Sequence, residues 1–133
     1  MNRLLKGPIA FIAILLGLLV LNSCAEKRPP LVTIVEEGYE PFLLGDIYPE
    51  ALQAEPYSDW YQSTYDKYEP MAEVMTVLQE KAGEFNYMIF LGTWCEDSQY
   101  DVPRLMKILD LLEVSHKKIH MIAVDEREGE GYK

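Results

Sequence analysis

Phe90-Leu91-Gly92-Thr93-Trp94-Cys95-Glu96-Asp97-Ser98 is the stretch on which the fold turns. The apolar run Tyr87–Leu91 ends there, and an i, i+3, i+4 pattern begins just beyond it: Val102, Leu105, Met106, Leu109, Leu112. A continuous apolar run of this length predicts a strand buried on both faces. The pattern after it predicts a helix from Glu96 to about Glu113. Cys95 falls at the junction, where the first unbonded amides of a helix point. Those amides and the helix dipole favour an anion, hence thiolate over thiol, and the thiolate is the nucleophilic form. Glu96 and Asp97 set negative charge beside the sulfur and pull the other way. The alternative is a small hydrophobe packed at a strand end.

Working outward, Ile119–Val124 reads as a second strand. Strand, helix and strand at this length form a βαβ unit with parallel strands. Functional loops of such sheets lie at the carboxyl ends of the strands, where Cys95 is expected. Upstream, Leu31–Val35 is β-branched and apolar, a strand, and Phe42–Ile47 is a short apolar piece of unassigned form. Trp60, Tyr61, Thr64, Tyr65 and Tyr68 stand at helical spacing and form either a binding surface or, more simply, a stripe packed on the core. Met71, Val74, Met75, Leu78 and Ala82 mark another helix, opened by Pro70 and stopped by Gly83, expected to cover one face of the sheet.

The order strand, Trp94-Cys95-x-x-Ser98, helix, with Pro103 inside that helix, resembles the thioredoxin superfamily. More narrowly, Gly92-Thr93-Trp94-Cys95-Glu96-Asp97-Ser98 with Val102-Pro103 is similar to the thioredoxin-like lipoproteins of Bacteroidetes-type bacteria. The resemblance runs from about Leu43 to Val124 and is concentrated between Met88 and Asp110. It implies an α/β, thioredoxin-like fold: a parallel βαβ core with flanking helices. It also implies thiol–disulfide exchange with Cys95 as nucleophile and Ser98 in the resolving position, and Trp94, Asp97 and Pro103 in support. Ser98 can donate a hydrogen bond to a thiolate but cannot form a disulfide. The chemistry expected is therefore monothiol: attack, mixed disulfide, release by an external thiol. Thioredoxins of this pattern carry a buried Asp six residues before the cysteine; here that position is Ile89. The alternatives are a thioredoxin-fold binding module without catalysis and an inactive truncated fragment.

The resemblance further implies a C-terminal ββα half with a cis-proline loop facing the cysteine. No strand or helix pattern follows Val124. Residues 31–133 are thus expected to form a truncated domain, or one whose sheet another chain completes, with Tyr87–Leu91 left at an open edge.

At the other end, Arg3 and Lys6 precede the apolar run Ile9–Leu21, too short to span a bilayer and suited to a signal peptide. Leu21-Asn22-Ser23-Cys24 resembles a bacterial lipobox. Residues 1–23 are then a lipoprotein signal, Cys24 the lipidation site and residues 24–30 a tether. Ordinary signal cleavage near Ser23, with Cys24 left unmodified, is the alternative. The expected location is the cell envelope, facing the periplasm, with Ala25 pointing to the outer membrane. An exported chain with two cysteines, one lipidated, keeps a single thiol without an intramolecular partner. Its partners would be envelope proteins with cysteines or disulfides, and a thiol reductant.

With 12 Lys and Arg against 22 Asp and Glu, the formal net charge of −10 argues against nucleic acid. His116 and His120 have no metal-like spacing with Cys95 and read as a loop residue and a strand-edge residue. No zinc, phosphate-loop or hydrolase-triad pattern occurs, and no cofactor is implied.

Overall fold

The computed structural model describes residue 28 and residues 30–125. The signal segment, Cys24 and most of the tether lie outside the described residues, as do residues 126–133.

The described chain is a mixed α/β unit. Its strands are β1 (Val32–Ile34), β2 (Phe42–Ile47), β3 (Tyr87–Leu91) and β4 (Ile119–Ala123). Its α-helices are α1 (Ser58–Lys67), α2 (Ala72–Gln79) and α3 (Glu96–Leu111). Phe42–Ile47, unassigned from sequence, is the longest strand. The sheet order is β1-β2-β4-β3. β1 with β2 and β2 with β4 are antiparallel; β3 with β4 is parallel, Ile89 opposite Met121, as the βαβ reading requires.

One face of the sheet carries the core. Leu43, Ile47, Ile89, Leu91, Ile119, Met121 and Ala123 point to that face and meet Tyr61 of α1 and Val102, Met106 and Leu109 of α3. The predicted stripe of α3 is therefore the buried one, with Leu105 and Leu112 partly covered at its margin. The aromatic stripe of α1 is core packing: Tyr61 is buried and Tyr65 stacks on it at 5.9 Å. Tyr65 also donates its hydroxyl to Asp110 Oδ2 at 2.8 Å, tying α1 to α3. After Leu111 the chain closes α3 with a bond from Val114 N–H to Leu109 O. Glu113 takes the left-handed position of that closure (φ 55°), a place glycine usually fills.

The other face corrects two expectations. β3 is not buried on both sides: Met88 and Phe90 alternate outward and are 63% and 62% exposed. The helix expected to cover one face of the sheet, α2, buries none of its residues. Periodicity marks an apolar stripe on a helix but does not state what that stripe meets, and a run of five apolar residues does not reveal whether both sides are roofed. His120 is placed differently as well: it lies on β4, inside the sheet rather than at its edge, and its Nε2 pairs with Asp46 Oδ1 at 2.9 Å on this outer face. β3 itself is an edge strand among the described residues. None of the described helices is long and apolar enough to cross a membrane.

Two core-side phenols make the fold sensitive to alkali. Burial pushes the Tyr61 hydroxyl up to about 12, with the negative charge of Asp110 adding to it. Tyr65 is likewise pushed up to about 12, by burial and by its bond to Asp110. In the unfolded chain both ionise near 10. Their contribution to stability is therefore complete below pH ~10 and is lost as pH rises toward ~12, because the unfolded chain releases those protons first. Urea midpoints measured from pH 9 to 12 should fall over that window, and Tyr65→Phe should flatten the fall.

Candidate functional site

The site is the connection from β3 to α3, and backbone geometry builds it. Gly92 is buried where the chain leaves the sheet, and the Trp94 indole lies across it. A Cβ on Gly92 would stand 2.6 Å from Trp94 Cε2, so this close approach requires glycine. The indole is oriented by its own N–H, which donates to Val124 O at 2.9 Å. Val124 N–H in turn donates to Leu91 O at 2.8 Å, extending the β3–β4 ladder up to the loop.

Thr93 is the brace. It is 3% exposed, and its Oγ1 accepts the Leu43 N–H of β2 at 3.0 Å. Its carbonyl accepts Gln99 Nε2 from the first turns of α3 at 2.8 Å. One residue thus joins β2, the loop and the helix. Thr93→Val keeps the shape but leaves a buried amide unpaired, which should cost ~1–3 kcal/mol. Thr93→Ser should recover most of it; denaturant titration of the three proteins distinguishes them.

Cys95 is the N-cap residue of the sixteen-residue α3, in extended conformation (φ −89°, ψ 123°). Its N–H donates to Gly92 O at 3.0 Å and its carbonyl accepts Gln99 N–H at 2.9 Å. The residue is half-buried and its thiol is unpaired. The sulfur is therefore at the positive end of a long helix. Glu96 and Asp97 occupy the first turn and are exposed.

Ser98 also braces the loop. Its Oγ accepts the Gly92 N–H at 3.1 Å, and among the described residues the Cys95 sulfur receives no hydrogen bond from it. The hydroxyl clamps the loop to the helix. Pro103 is buried in the body of α3, eight residues and about 12 Å of helix beyond the thiol. It packs in the core and does not reach the sulfur. The loop thus gathers Trp94, Cys95, Asp97 and Ser98 and leaves Pro103 apart.

His116 and His120 lie away from this loop, near the opposite ends of β2 and β4. His116 bonds Asp110 Oδ1 through Nε2 at 2.8 Å. Among the described residues, no group of three or more His, Cys, Asp or Glu side chains could hold a metal ion.

Three participants carry no local sequence signal: Leu43, Val124 and the aromatic wall beside the loop. Leu43 and Val124 enter through backbone groups contributed from positions 50 and 30 residues away. The wall is a cavity of 580 Å³ between the β1–β2 connection, the start of α1 and the Trp94 loop. Trp60 packs against the core, as the stripe reading expects, and also lines this cavity, together with Tyr39 and Tyr57.

No family model matches the chain, and neither a curated protein nor a solved structure matches it.

Proposed function

We propose that this chain is a thioredoxin-like thiol–disulfide exchange protein of the cell envelope that uses Cys95 as a lone nucleophile. The observation that carries this reading is the position of the thiol: on a half-buried residue, at the N-cap of a sixteen-residue helix, just past the end of β3. A helix start favours the anionic form of a sulfur placed there, and the anion is what attacks a disulfide.

The exchange balances without an added oxidant. The Cys95 thiolate attacks one sulfur of a substrate disulfide. That S–S bond breaks, a Cys95–substrate S–S bond forms, and the displaced substrate sulfur leaves as a thiolate that takes a proton from water. A second thiol, from the substrate or from a small thiol reductant, then attacks the mixed disulfide and returns the Cys95 thiolate. One disulfide is consumed and one is formed. The chemistry is disulfide interchange, suited to isomerisation.

The test is capture. The full-length protein is mixed with a peptide disulfide, quenched with acid and resolved without reductant. A one-to-one adduct through Cys95, released by thiol, is the expected result. Absence of adduct from folded protein sinks the proposal.

A second reading, a thioredoxin-like binding module without catalysis, has one observation in its favour. The Ser98 Oγ accepts Gly92 N–H, and no hydrogen bond joins its hydroxyl to the Cys95 sulfur in the described structure. Failure of capture together with retained ligand binding at the Trp94 cavity selects this reading.

Envelope location is part of the proposal and rests on the lipobox-like Leu21–Cys24. Two or three acyl chains on Cys24 would anchor the protein stably, whereas one would hold it marginally. Cys24→Ala should move the protein from the membrane to the soluble periplasmic fraction. Unchanged membrane association would remove the anchor.

A further inference from the structure

The cavity beside Trp94 has a lining of unusual chemistry. Five of its twelve wall residues are aromatic, against 11% aromatic residues in the chain as a whole. Its acidic wall residues are Glu36, Glu40 and Asp125, and among the described residues no Lys, Arg or His lines it. At 580 Å³ it has the size of sites that enclose small ligands or single side chains.

The rings are held in place before any ligand arrives. Trp60 packs edge-on against Tyr57 (centroids 6.5 Å, planes at 68°) and against Tyr61 (6.1 Å, 61°). Trp94 is oriented by its N–H bond to Val124 O, which uses the polar end of the indole and leaves the ring face to act. A ring face carries negative potential, and indole carries the most, so preset indoles with carboxylates nearby attract a cation that brings an apolar stem.

Among the described residues, the cations that sit on rings do so elsewhere. Arg28 lies over Tyr48 at 4.6 Å, Arg104 lies against both Tyr68 and Tyr100 at 4.4 and 4.1 Å, and Lys107 lies over Tyr65 at 5.4 Å. Among the described residues, no cation meets Tyr39, Trp60 or Trp94, and Glu40 has no ion pair. Rings elsewhere in the protein, Tyr48, Tyr65 and Tyr68, already hold a cation, whereas among the described residues Tyr39, Trp60, Trp94 and Glu40 at the cavity do not.

We propose that this cavity binds an organic cation on an apolar stem, a guanidinium or ammonium group such as an arginine or lysine side chain presents, beside the Cys95 loop. The stem lies between the Trp60 and Trp94 rings and the charged head approaches Glu40. Binding stands independently of whether Cys95 reacts. Its consequence for selectivity, a preference for disulfides with a basic residue close by, rests on the exchange reading above.

The probes carry no sulfur, so failure here and failure of the capture experiment are separate results. N-acetyl-arginine amide, N-acetyl-lysine amide and the neutral isostere N-acetyl-citrulline amide are titrated into the full-length protein. Tryptophan emission is the readout, since the chain's two tryptophans, Trp60 and Trp94, both line the cavity. Saturable changes are expected for arginine and lysine, with citrulline weaker by about tenfold. Glu40→Gln should weaken the arginine probe about fivefold and leave citrulline unmoved. Tyr39→Ala tests the ring wall without touching the core, because Tyr39 is 72% exposed; it should weaken the two cations and leave the far-ultraviolet circular dichroism unchanged. Equal binding of citrulline and arginine, or no saturable change with any cation at ~10 mM, the range of very weak ligands, overturns the proposal. Butylguanidinium and an arginine-centred pentapeptide separate the sources: tighter binding of the peptide assigns the cation to a polypeptide, equal binding to a free small molecule, and either result upholds the class.

Discussion

With Cys24 acylated, as proposed, or replaced by alanine, Cys95→Ser should reduce mixed-disulfide formation from one adduct per chain to none. A serine hydroxyl cannot form an S–S bond, and no second thiol stands among the described residues to replace it. The complementary change is Ser98→Cys. Position 98 is one helical turn from the N-cap, so a thiol there sits beside the Cys95–substrate bond. The introduced thiolate would attack Cys95 Sγ, form an intramolecular disulfide and expel the reduced substrate. The adduct should then disappear without added thiol, and the protein should change from an interchange reagent to a dithiol reductant consumed in one turnover. Mass spectrometry under acid quench follows both variants. A stable adduct in Ser98→Cys at wild-type level would show that residue 98 cannot approach the sulfur, and would sink the monothiol account of this loop. The same variant also deletes the hydroxyl that accepts Gly92 N–H, so the loop clamp must be checked by comparing Ser98→Ala.

The second large effect is on stability. Met106 is fully enclosed, at 0% exposure, where α3 meets the sheet and Tyr61. Met106→Ala removes the side chain from the middle of that layer and leaves a hole its neighbours cannot close. Buried Met→Ala changes cost ~2–5 kcal/mol. Small domains hold ~5–15 kcal/mol in all. This one builds its core on one face of a four-stranded sheet, so the loss should take a large share of what it has. The urea midpoint should fall steeply while the slope stays near wild type. A loss below ~1 kcal/mol would mean that α3 is less tightly packed than its burial indicates.

What the sequence disclosed and what it withheld follow from the range of the forces involved. The turn from Leu91 through Cys95 into α3 is encoded locally: an apolar run, a glycine, and a helical stripe whose members Val102, Met106 and Leu109 are the buried ones. The parallel pairing of β3 with β4 follows from the spacing of two apolar runs around that helix. The braces of the site do not appear in any local window. Thr93 could be seen as a turn residue, but its partner is an amide at Leu43. The orientation of Trp94 depends on a carbonyl at Val124. Trp60 and Tyr61 are adjacent in sequence and share one apolar stripe, yet Tyr61 is fully enclosed in the core while Trp60 packs at its margin and also lines the cavity. Only the placement of the β1–β2 connection decides between them. The same holds for β3: its composition announces burial, and the alternation of Ile89 and Leu91 inward with Met88 and Phe90 outward depends on what roofs each side.

That one-sided core has a thermal consequence. Heat-capacity change on unfolding follows the apolar area newly exposed to water, usually about 12–15 cal/mol/K per residue. Here Met88, Phe90 and the stripe of α2 are hydrated before the chain unfolds, so they add little to it. The increment should lie below the usual range, giving a flat stability curve. Such a protein gains little from cooling, and its resistance to denaturation changes little between a cold and a warm environment.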